Sequence, residues 1–156
     1  MSLIDLANIF EAATDSVNGL NGFSFGWASD RVRSQIYTEE GENSTNIFPR
    51  VFFAVPTLTN NPVTRRDTYQ VTLFFDDLLG YNESGDVDTT LQITKWSNLI
   101  AFAEKFVLHL TTTKTTNSIP EEVNLTLDSF TSIQRLITVQ ATFNISIKSV
   151  VKLHCP

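Results

Sequence analysis

The chain has 156 residues, 42% of them hydrophobic, enough for one domain with a real core and no need of disulfides. Its formal charge of -6 argues against a general grip on nucleic acid, which requires clustered Lys and Arg to displace counterions. The single cysteine, Cys155, excludes an intrachain disulfide and is compatible with a reducing compartment.

Leu3, Leu6, Phe10, Ala13 and Val17 recur at three- and four-residue steps, which predicts an amphipathic helix with Ser2 as its cap and Asp5 in its first turn. With Asp5, Asn8 and Glu11 in that pattern and no basic region before it, the segment reads as a folded helix and not a signal peptide. Asn18-Gly19 and Asn21-Gly22 should end it. "FSFGWAS" alternates Phe23, Phe25 and Trp27 against Ser24, Gly26 and Ala28, a half-buried strand that "DRVRSQIY" could extend. Residues 38–46 are acidic and wholly polar, a composition expected of a mobile loop. "IFPRVFFAVPTL" has strand composition, but Pro49 and Pro56 each lack a ladder donor and favour an edge or irregular strand. "TNNPVTR" reads as a turn, and Asp67–Phe75 as the clearest strand, with Tyr69, Val71, Leu73 and Phe75 on one face.

The stretch "FFDDLLGYNESGDVDTT" then concentrates five carboxylates between apolar segments. It fails as an EF-hand: counting from Asn82 as first ligand, Gly85 falls two residues before the required glycine position, and Ile93 stands where a closing Glu is needed. It reads instead as a solvated connection in which Leu78, Leu79 and Tyr81 provide apolar anchors and Asn82–Gly85 a turn. Thr89 with Gln92 suits a capping box, with Asp88 beside it favoured by the helix dipole. The helix from Thr90 to about Thr111 carries a stripe of Trp96, Leu99, Ile100, Ala103, Phe106, Val107 and Leu110. "EEVNLTLDSF" and "RLITVQATFNISI" alternate as strands and should form a hairpin, before a C-terminal tail over residues 149–156.

The order α-β-β-β-α-β-β predicts an α+β fold: a single domain over residues 1–156, with a mainly antiparallel sheet, two helices packed on it and long loops. The adjacent pairs Phe52/Phe53 and Phe74/Phe75 each send one ring to each face, so either helices or another subunit must cover the second face. No segment has the apolar length of a membrane helix. The sequons at Asn43, Asn82, Asn124 and Asn144 carry little weight without a secretory signal.

Nothing in the chain marks an enzyme, a metal or a cofactor: Gly-x-Ser-x-Gly, the P-loop and the dinucleotide fingerprint are absent. His109 suits a helix C-terminus, and His154 with Cys155 lacks the further ligands of a zinc site. The basic residues read either as solvated loop and strand-end charge or as subunit contacts. Arg31, Arg33, Arg65 and Arg66 could meet Asp76, Asp77, or the loop bearing Glu39, Glu40 and Glu42, on an adjacent copy; Tyr81 and Asp86 lie in a second candidate contact stretch.

With the short N-terminal helix, "FSFGWAS", the pair "RVFFAVP" and "DTYQVTLFF", the helix from Thr90 and the closing hairpin in this order, the chain resembles the tail-terminator and neck-ring proteins of tailed bacteriophages. That resemblance implies a structural virion protein, assembled in the host cytoplasm as a homo-oligomeric ring, hexameric or higher. It would sit between a portal-side connector and the tail or other neck proteins, with DNA passing through the lumen without specific binding, no membrane and no cofactor. The other reading is a cytosolic, non-enzymatic binding module, a small dimeric α+β domain.

Overall fold

The computed structural model describes residues 3–29, 48–61, 63, 66–79, 84–86, 88–112, 123–130 and 136–148. Among these residues two helices and a five-stranded sheet follow the expected order: α1 (Leu3–Ser16), β1 (Gly22–Gly26), β2 (Arg50–Asn61), β3 (Arg66–Leu78), α2 (Thr89–Thr112), β4 (Asn124–Phe130) and β5 (Leu136–Lys148). The strands lie in the order β1-β2-β3-β5-β4; β1 and β2 run parallel, and every other neighbouring pair is antiparallel. The fold is α+β.

Both helices lie on one face. The stripe read from α1 is the buried one: Leu6, Phe10, Ala13 and Val17 enter a common core with Leu99, Ala103, Phe106 and Leu110 of α2. The sheet contributes alternate residues, among them Val51 and Phe53 of β2, Val71, Leu73 and Phe75 of β3, and Val139, Ala141 and Phe143 of β5. Phe10 lies at the centre, edge-on to Phe53 at 4.8 Å between ring centroids and close to Phe106 and Phe143. Burying such a ring stabilises the fold by roughly 2–3 kcal/mol.

α1 ends where the Asn-Gly pairs demand. Gly19 adopts φ +103°, a left-handed conformation, and a Cβ there would meet the Phe102 ring at 2.9 Å. The next turn seats β1: the Asn21 N–H donates to the Pro49 carbonyl at 2.8 Å and its Nδ2 to the Phe48 carbonyl at 2.6 Å.

β1 stops at Gly26, one residue short of Trp27, which is 65% exposed and so no part of a buried strand face. β2 is irregular, as its prolines predict, but it is internal and not an edge strand. Pro49 precedes it, and its register against β3 shifts between Ala54 and Thr57, around Pro56. β1 pairs only with Arg50–Ala54. The missing Pro56 donor therefore falls where β2 has no second partner among the described strands, so no ladder bond is forfeited.

β3 runs three residues further than its alternation suggested, taking in Asp76, Asp77 and Leu78. α2 is capped by Asp88, not Thr89: the Leu91 N–H donates to Asp88 Oδ1 at 3.0 Å and the Gln92 N–H to the Asp88 carbonyl at 2.9 Å. The carboxylate displaces the hydroxyl in that role because it adds charge to the geometry at the positive end of the helix. The β4–β5 hairpin forms with β4 at the margin of the sheet. Leu125 and Leu127 are exposed there, since α2 packs mainly over β5 and β3. No helix among the described residues is long and apolar enough to cross a membrane. The polar loop over residues 38–46, the "DRVRSQIY" extension from Asp30 onward and the tail over 149–156 lie outside the described residues.

Candidate functional site

The acidic stretch that dominates the sequence is drawn into the fold at its start. Asp76 faces away from the helices, directly opposite Arg50 of β2 and Thr138 of β5 in the strand registers. Its Oδ2 lies 3.6 Å from Arg50 Nε, and Thr138 Oγ1 donates to its Oδ1 at 2.8 Å. Asp76 is 0% and Arg50 3% exposed, and the Arg50 guanidinium also lies 5.0 Å from the centre of the Phe48 ring. Asp76 therefore does not wait for an arginine of a neighbouring copy. A β3 carboxylate carried this far into the sheet is cut off from water, and its charge is met by an arginine of its own chain.

Asp77 points to the other face, where the next element answers it. Lys95 Nζ of α2 lies 3.1 Å from Asp77 Oδ2 and donates to the Leu78 carbonyl at 2.7 Å, while the Leu78 N–H donates to Asp77 Oδ1 at 2.7 Å. Lys95 thus ties the first turns of α2 to the end of β3. Leu79 is buried, as an anchor should be, and Gly85 takes φ +84° in a turn at which Ser84, Gly85 and Asp86 are exposed. Asp86 is the one acidic candidate left at the surface among those described, together with Arg66, exposed at the start of β3. Arg31, Arg33, Glu39, Glu40, Glu42, Arg65 and Tyr81 lie outside the described residues.

Among the described residues no group of three or more His, Cys, Asp or Glu side chains is placed to hold a metal ion. His109 occupies the last turn of α2, partly buried. Tyr69, buried on the helix face of β3, has its hydroxyl pKa raised, first by desolvation and then by the carboxylates of Asp67 and Asp5.

On the second face of the sheet, away from α1 and α2, one end is also buried. Phe48, Arg50, Phe52, Ala54, Leu136 and Thr138 are all buried there, and the Phe52 and Phe74 rings lie 6.4 Å apart. This answers the question raised by the adjacent phenylalanines: no second subunit is needed to bury Phe52.

Two surface features had no counterpart in the sequence reading. Between the C-terminal half of α2 and the start of β4 lies an open, largely apolar groove of about 410 Å³, bounded by Ala103, Glu104, Val107, Leu108, Val123 and Leu125. Leu108 is 61% exposed in it. At the tip of the β2–β3 hairpin Val63 is 91% exposed, its N–H held by Asn61 Oδ1 at 3.1 Å. Arg50 was also missed, although an arginine inside "FPRVFF" is a usable signal, because a charge within an apolar strand must find a buried partner.

No protein-family model matches the chain, and no curated protein matches it in sequence.

Proposed function

We propose that this protein is a structural virion protein of a tailed bacteriophage, a ring-forming subunit at the head-tail junction or the end of the tail, acting by assembly without a reaction or a cofactor. The observation that supports this reading is the distribution of exposed apolar side chains on a fold with the expected order of elements. Phe25, Trp27 and Leu58 are exposed toward the β1–β2 margin of the sheet, and Leu108, Leu125 and Leu127 toward the β4 margin. Large apolar residues grouped on a surface mark contacts with other chains. Two such groups on opposite margins suit head-to-tail association, which closes into a ring when the rotation between copies permits. The acidic balance suits a lumen through which DNA moves without being held.

Multi-angle light scattering across a concentration series, with negative-stain imaging, tests the proposal. It predicts discrete rings, formed alone or with neck or tail partners. A stable monomer under all these conditions, or a closed two-fold dimer, would instead favour a small binding module.

A further inference from the structure

We infer that Asn18 is a site of spontaneous covalent modification: in the folded chain it loses its side-chain amide to attack by the Gly19 backbone nitrogen, while Asn21, also followed by glycine, is held unreactive. Asn-Gly occurs twice in the chain, at Asn18-Gly19 and Asn21-Gly22, where α1 gives way to β1. Both pairs carry the chemistry, because a glycine nitrogen with no Cβ beside it can reach the Cγ of the preceding asparagine. Sequence does not separate the two, and neither does exposure, since both asparagines are exposed.

Their hydrogen bonds do. Asn18 and Gly19 are the central residues of a turn closed by the Leu20 N–H, which donates to the Val17 carbonyl at 3.1 Å, with Gly19 at φ +103°. That bond uses neither the Asn18 side chain nor the Gly19 N–H, and neither group has a hydrogen-bond partner among the described residues. Asn21 is pinned instead: its N–H donates to the Pro49 carbonyl at 2.8 Å, its Nδ2 to the Phe48 carbonyl at 2.6 Å, and Gly22 opens β1 opposite Arg50. For the Asn21 Cγ to swing onto the Gly22 nitrogen, the side-chain bond must break and the strand end must lift, so reaction there waits on local opening.

At Asn18 the Gly19 nitrogen gives its proton to solvent base and bonds to Asn18 Cγ. The Cγ–Nδ2 bond breaks, and the amide takes up a proton and leaves as ammonia. Water then opens the resulting succinimide ring at one of its two carbonyls. Opening at Cγ gives aspartate on the ordinary backbone; opening at the main-chain carbonyl gives isoaspartate, whose backbone runs through Cβ and Cγ. No oxidant or reductant takes part. Either product adds a negative charge just beyond the C-terminal end of α1, which is the negative end of its dipole. Isoaspartate also lengthens a turn that is fixed on both sides, by Val17 in the core and by Asn21 on the segment leading into β2, and whose glycine lies against the Phe102 ring. Modification at Asn18 therefore loosens the junction of α1 with β1.

The test incubates the full folded chain in mildly alkaline buffer and follows both positions by peptide mass mapping, with chromatographic separation of aspartate from isoaspartate. The same chain in urea and a folded Asn18→Gln variant are run beside it. In the folded chain position 18 should convert at least about tenfold faster than position 21, which must first break its hydrogen bonds. In urea the two should convert at similar rates, because the structure that distinguishes them is gone. Asn18→Gln should remove nearly all the isoaspartate formed in the folded protein, since its longer side chain must close a larger and slower-forming ring. The isolated isoaspartyl fraction should melt below an Asn18→Asp variant, because both carry the added charge and only the first carries the lengthened turn; equal melting would overturn the loosening. Equal conversion at the two positions in the folded chain, faster conversion at position 21, or none at position 18 over a period in which it converts in urea would overturn the site itself.

Discussion

Replacing Asp76 by alanine probes the most consequential polar arrangement in the fold. The carboxylate is 0% exposed, lies 3.6 Å from a guanidinium that is itself 3% exposed, and accepts the Thr138 hydroxyl at 2.8 Å. Its removal takes this carboxylate away from the buried Arg50 guanidinium and from the Thr138 hydroxyl. Breaking one partner of a buried ion pair costs about 3–5 kcal/mol. The total stability of a domain is about 5–15 kcal/mol, so the loss is a large part of it. With a urea slope of about 2 kcal/mol/M, the unfolding midpoint followed by circular dichroism should fall by roughly 1.5–2.5 M. Removing both charges with Arg50→Met/Asp76→Leu should recover most of that, because well-packed apolar replacements avoid the desolvation penalty that the single variant exposes. A midpoint shift under about 0.5 M for Asp76→Ala at unchanged slope would refute the reasoning, as would a double variant no more stable than the single one.

Gly19→Ala should destabilise the protein by at least about 1 kcal/mol, since it forces a left-handed backbone on alanine and drives its Cβ to 2.9 Å from Phe102; thermal melts of this variant beside Gly85→Ala, where φ is also positive but no atom lies within 4 Å, separate the packing part from the backbone part. Tyr69 gives a pH dependence of definite sign. Its folded pKa is raised above 10.0, so its contribution is complete below that pH and is lost as pH climbs through the higher folded value, where the unfolded chain has already released the proton. Denaturation midpoints should therefore fall more steeply above pH 10 in the wild type than in Tyr69→Phe, and equal slopes would count against a buried, desolvated hydroxyl.

Much of the fold could be read directly because it depends on neighbours in the chain. The stripe Leu6, Phe10, Ala13, Val17 and the stripe Leu99, Ala103, Phe106, Leu110 are buried as their spacing requires, and the alternation of Tyr69, Val71, Leu73 and Phe75 faces the core throughout. The acidic stretch was also legible in outline, as strand end, apolar anchor, turn and helix start. Its chemistry was not. Whether Asp76 meets water, another copy or Arg50 depends on strand register, and its hydrogen-bond partner Thr138 is 62 residues away.

The site candidates divide along the same line. Counting charges identified Arg66 and Asp86, which are exposed, but counted Asp76 with them, because composition carries no depth. The groove escaped notice because Val107 and Leu125 belong to apolar patterns that look the same whether or not another element covers them, and Val63 because it lies in a stretch that reads only as a turn. What the sequence determined by itself was periodicity, and with it the type and order of the elements and the faces they bury. Tertiary structure alone decided which ends of those faces go uncovered, because coverage depends on where α2 crosses the sheet. It leaves β4 bare at the margin and makes two leucines of a regular strand part of the surface.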